Sequence, residues 1–109
     1  MTIGVFILNP QNEFEKNFYI PIATESFFNE CWLPAIESIG LQWSELFSIG
    51  VDIEKENVAD IIEELIQIKE WARKNVHEEH QNKLFERIKI LQEKLPQAFR
   101  RKDAVVFIG

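Results

Sequence analysis

The feature that most constrains this chain is a helical period running through its second half. Val58, Ile61, Ile62, Leu65, Ile68 and Ala72 recur at three- and four-residue intervals between Glu56 and Lys74, which sets them on one stripe of an α-helix. The first half of that segment is acidic and its end carries Arg73 and Lys74, the order the helix dipole favours. A second stripe, His77, His80, Leu84, Ile88, Leu91 and Leu95, stops before Pro96. One unbroken helix from Glu56 to Leu95 would run about 60 Å, too long for a compact domain of this size. The pattern therefore predicts an antiparallel helix pair. Asn75 breaks it, either by taking the left-handed conformation that closes one helix or by capping the next, with Glu78 in capping-box position.

The two ends of the chain read as strands. Ile3 to Leu8 is a nearly continuous apolar run, followed by turn chemistry in Asn9-Pro10-Gln11-Asn12. Phe18, Ile20 and Ile22 alternate with Tyr19 and Pro21, a half-buried strand that Pro21 confines to a sheet edge because it has no N–H to donate. Ala104 to Ile108 forms a last strand, placed beside the first by their shared apolar character. Between them, Thr24 can cap a helix with the stripe Phe28, Cys31, Trp32, Ala35 and Ile39, ended by Gly40 and either kinked or restarted at Pro34. Leu41, Trp43, Ile49, Val51 and Ile53 alternate as one or two short strands interrupted at Ser44 to Ser48, with Gly50 at a bulge or close approach. The fold class expected is α+β: a small mixed or antiparallel sheet packed against three or four helices, in one domain over residues 1–109.

Charge is unevenly distributed. Residues 1–70 hold three basic and thirteen acidic groups, whereas residues 71–109 hold nine basic and five acidic ones. An acidic surface disfavours nucleic acid and anionic lipid, which are bound by cationic side chains, and attracts a basic protein. No apolar run reaches the roughly 18 residues of a membrane-spanning helix, and the start of the chain does not read as a secretory signal, so the cytoplasm is the expected compartment. Cys31 cannot form an internal disulfide and reads as a small buried hydrophobe.

Catalytic signatures are missing from the sequence. His77-Glu78-Glu79-His80 spaces its histidines three apart, not the four of the zinc-protease pattern, and offers no third histidine, so neither a metal nor another cofactor is expected. Both rings are expected to point inward. The glycines, at 4, 40, 50 and 109, are too dispersed for a phosphate loop. Asp60 shares a helix face with Glu63 or Glu64, and like charges so placed cost stability unless something basic answers them. Trp71 lies off the apolar stripe of its helix, where it either packs on a neighbouring element or serves as an interface anchor. Asp60, Glu63, Glu64 and Glu70 as charged contacts, with Trp71 as anchor, are thus the candidate partner-binding residues.

Gly50-Val51-Asp52-Ile53, followed by Val58, Ile61-Ile62-Glu63-Glu64-Leu65 and Lys69-Glu70-Trp71, resembles the small acidic α+β immunity proteins of bacterial polymorphic toxin systems. The resemblance implies a cytoplasmic, non-enzymatic inhibitor that binds a cognate, often basic, toxin domain through acidic and aromatic residues. Two alternatives remain open at this level: a small subunit that self-associates through an edge such as Phe18 to Ile22, forming a homodimer, and a metal protein or enzyme using His77 and His80.

Overall fold

The computed structural model describes residues 2–109. Strand β1 (Thr2–Leu8) leads through Asn9, whose φ of 49° makes the turn, into a short helix α1 (Glu13–Asn17) that the apolar pattern did not single out. Asn12 caps α1 by accepting from the Glu15 N–H. Strand β2 (Tyr19–Thr24) returns antiparallel to β1, and Thr24 caps the next helical segment by accepting from the Phe27 N–H at 3.1 Å. That segment comprises α2 (Glu25–Phe27), a widened π-type turn over Phe28–Trp32, and α3 (Leu33–Ile39). Pro34 lies in the first turn of α3, and the wide turn before it lets the chain absorb a residue without an N–H. Gly40 closes α3 at φ 81°.

Residues 41–43 are not a strand, in contrast to the alternation of Leu41 and Trp43. The chain makes a 3-10 turn at Ser44–Leu46 instead, and only β3 (Val51–Ile53) is extended. The cause is a distant side chain, described below. Helix α4 (Val58–Asn75) then runs antiparallel to α5 (Glu78–Lys94), and β4 (Val105–Ile108) completes the sheet. The hinge between the long helices also differs from expectation. Asn75 is the last residue of α4, its Nδ2 donating to the Trp71 carbonyl, and His77 caps α5.

The sheet is antiparallel throughout, in the order β2-β1-β4-β3. The two terminal strands occupy its centre and Pro21 lies on an edge strand, as the sequence pattern predicts. Ile3, Val5, Ile7, Ile20, Ile22, Ile53, Val106 and Ile108 line the inner face and are buried, as are Leu65 and Ile68 of α4 and Leu84, Ile88 and Leu91 of α5. Trp32 and Phe28 stack in the same core, 5.9 Å apart at 16°. Burying side chains of this size stabilises by about 1.5–3 kcal/mol each against exposure, which is why periodicity in the sequence is so informative. No helix among the described residues is long and apolar enough to cross a membrane.

Candidate functional site

Position 64 lies three residues after Ile61 and four before Ile68, so α4 turns Glu64 toward the apolar side of the helix. The carboxylate is buried there and accepts three hydrogen bonds: the Trp43 N–H at 3.0 Å, the Ser44 N–H at 2.8 Å and the Ser44 hydroxyl at 2.8 Å. Glu64 borders the same concavity as Asp60 and Glu63 but is only 8% exposed, so its carboxylate is engaged by the loop, where an open charged contact with a partner was expected. It fixes the loop after α3 onto α4 instead. The backbone amides of residues 43 and 44 aim at this carboxylate rather than at a neighbouring strand, and a buried acceptor of that strength outweighs a local preference for extended structure.

With Glu64 turned in, the exposed side of α4 carries Asp60, Glu63, Gln67, Glu70 and Lys74 at intervals of three and four, a continuous polar stripe along one face. Two open concavities run beside it. The first, about 360 Å³, lies between the α3–α4 loop at Gln42 and Trp43 and the carboxylates Asp60 and Glu63. The second, about 480 Å³, is bounded by Ile66, Glu70, Trp71 and Lys74. Ile39, Glu63 and Gln67 line both, so they form one shallow trough. Asp60, Glu63, Glu70 and Trp71 are thus brought together. Trp71 is half-buried, packed against the core while bordering the second concavity, and Ile66, which the apolar pattern did not single out, is 42% exposed beside it. The signal that could have placed Glu64 and Ile66 is the helical angle alone.

Among the described residues, Asp60 and Glu63 have no cationic partner within 4.0 Å. Glu70 meets Arg73 at 3.5 Å, an exposed pair whose attraction water and salt weaken. Arg73 and Lys69 also lie over the Phe85 ring on the flank facing α5, 5.9 and 5.6 Å from its centroid. The basic C-terminal third answers the acidic part chiefly elsewhere, where Arg101 holds the buried carboxylate of Glu15. Arg101 donates from Nε to Oε2 at 2.8 Å and from Nη2 to Oε1 at 3.0 Å. Those bonds hold the Glu15 carboxyl below the usual carboxylate range, assisted by the Gln11 N–H.

The histidines are placed otherwise than expected. Both His77 and His80 are exposed, because the turn at Val76 and His77 resets the helical phase and the first turn of α5 extends beyond the core. His77 Nδ1 accepts from the Glu79 N–H at 3.4 Å, and the His80 ring meets Phe27 edge-on. No three His, Cys, Asp or Glu side chains among the described residues are grouped as a metal site requires. Cys31 is buried, and loss of solvation raises its thiol pKa, reinforced by the nearby Glu30 charge, so the residue is a packed hydrophobe. No protein-family model matches the sequence, and neither a curated protein nor a solved structure proves similar to it.

Proposed function

We propose that this chain is a non-catalytic protein-binding domain that receives a basic segment of a partner along α4, in the manner of an immunity protein neutralising a toxin. The observation that carries the reading is the trough. It presents Asp60 and Glu63 without cationic partners among the described residues, next to a half-buried tryptophan and an exposed isoleucine. Solvated carboxylates at i and i+3 repel each other, and a protein retains them at a cost that a cationic partner removes. Tryptophan at the border supplies the apolar contact that dominates binding energies. The trough is shallow and open, which suits the surface of a protein better than enclosure of a small substrate.

The test is binding and neutralisation of toxin domains encoded beside the chain's gene. Calorimetry with such a domain should show nanomolar or tighter binding that weakens as salt rises. Replacing Asp60 and Glu63 by lysine together should weaken it at least about a hundredfold, which corresponds to ~2.7 kcal/mol. Unchanged affinity would remove this surface from the interface, and failure to protect cells from any neighbouring toxin would overturn the immunity reading.

A further inference from the structure

The outer face of the sheet carries a row of side chains that the trough does not involve. Tyr19 pairs with Phe6, Phe6 with Phe107, and Phe107 with Asp52, so the four residues stand side by side across β2, β1, β4 and β3. Phe6 and Phe107 touch, with ring centroids 5.3 Å apart. Beneath them lies a second row, of glycines. Gly4 and Gly109 exchange backbone hydrogen bonds at 3.2 and 3.0 Å, and Gly50 packs against Gly109. The Tyr19 ring lies over Gly4 and the Phe107 ring over Gly50 and Gly109. The rings are therefore laid down onto the sheet and present their faces outward. Tyr19 is 53% exposed and Phe6 38%, and Ile49, next to Gly50, is 78% exposed.

We infer that this face is where two copies of the chain associate, sheet against sheet. The row is self-complementary. A two-fold axis parallel to the strands, passing between β1 and β4, sets Phe6 of each copy opposite Phe107 of the other. The same operation sets Tyr19 of each copy opposite Asp52 of the other, at the two ends of the row. The edge strand β2 is a poorer place for a second copy, because Pro21 interrupts its free row of N–H groups. Elsewhere the chain covers aromatic faces with its own cations: Arg100 over Phe14, Lys83 over Phe27, Lys69 and Arg73 over Phe85. Among the described residues the rings of the outer row have no such cover.

Strands of three to seven residues, about 4.8 Å apart and roughly 10–23 Å long, give a face of roughly 300 Å² in projection, below the standard interface of about 800 Å² per partner. The dimer is accordingly weak, micromolar to submillimolar, and opposed by the net charge of −6 on each copy. Its salt dependence is then the reverse of the trough's. Salt screens the repulsion and strengthens the dimer, whereas it weakens docking of a basic partner.

Tyr19 is the only tyrosine in the chain, so 3-fluorotyrosine labels this face alone. The full-length labelled protein should show a fluorine resonance that moves with protein concentration, while sedimentation equilibrium gives a mass approaching two chains. Phe6→Lys should raise the dissociation constant at least about tenfold with its near-ultraviolet tryptophan signal intact, and the milder Phe6→Ser should do so to a smaller degree. Ile66→Ser, on α4, should leave the dimer unchanged. A monomer with a stationary fluorine line up to millimolar concentration would overturn the proposal. So would a dimer that persists in both Phe6 variants, or one that dissociates as salt is added.

Discussion

Arg101 closes on Glu15 with two parallel hydrogen bonds, joining the turn before β4 to α1 across 86 positions of sequence. The carboxylate is out of contact with water, and among the described residues the guanidinium and the Gln11 amide answer that loss of solvation. Both ends of the chain are thereby tied together beside the central strands. Arg101 also reaches Asp103 from Nη1 at 3.0 Å, which fixes the guanidinium from the solvent side.

This pair sets an acid dependence. The Glu15 carboxyl is held below its ordinary value of 4.5, so in the pH range just under that value the unfolded chain takes up a proton that the folded chain refuses. The stabilisation is complete above about pH 4.5 and is lost as the pH falls toward the depressed folded-state value. Urea unfolding of the wild type and Glu15→Gln should show a clear stability gap at pH 7 that narrows steadily below that point. A gap independent of pH would mean that the pair contributes packing alone.

Glu64 leads to a second expectation. Glu64→Ala leaves the Ser44 hydroxyl and two backbone N–H groups without their acceptor and should destabilise by about 1–3 kcal/mol, read as a shift of the urea midpoint at constant slope. Because the loop at Trp43 forms one wall of the trough and Glu64 borders it from beneath, the same variant should also weaken partner binding. A loss of binding without any loss of stability would contradict the positioning role.

How legible these features were in the sequence follows from the range of the forces involved. The strands at both ends, the helix stripes, the edge position of Pro21 and the cap at Thr24 are set by burial and local geometry, and they could be read from spacing. Residues 41–44 could not, because the amides of Trp43 and Ser44 answer to a carboxylate 20 or more positions away. The inward turn of Glu64 was available from its place between Ile61 and Ile68 but hidden by its charge. His77 and His80 were misplaced by extending a helical phase across a turn that resets it. The glycine row emerges only from strand register, which brings together positions 4, 50 and 109.

Gly50 shows how tight that row is. Its φ is 105°, where side chains are strained, and a Cβ there would lie 2.7 Å from the Phe107 ring. Gly50→Ala should cost about 1–3 kcal/mol and lower the melting temperature by several degrees. Gly40→Ala, equally left-handed at φ 81° but facing open space, isolates the backbone contribution and should cost less. Equal losses at the two positions would show that Phe107 moves aside freely.

The trough itself predicts an opposition between stability and binding. Glu63 stands one turn after Asp60 on the exposed stripe, so the two charges repel each other along the helix. Asp60 has a compensating reason to be there, since it sits in the first turn of α4, where the helix dipole welcomes an acid; Glu63, farther along, gains much less. Glu63→Lys turns the repulsion from Asp60 into attraction and should stabilise the isolated chain by about 0.5 kcal/mol, or ~2–4 °C in melting temperature. If the stripe is kept for a basic partner, the same substitution must weaken that partner's binding, by far more than it stabilises the fold. Thermal melts with and without the partner decide the matter: a variant that melts higher alone but gains less from the partner supports the site. One that melts lower alone would show that Glu63 serves the fold, and the case for a stored binding surface on α4 would fail.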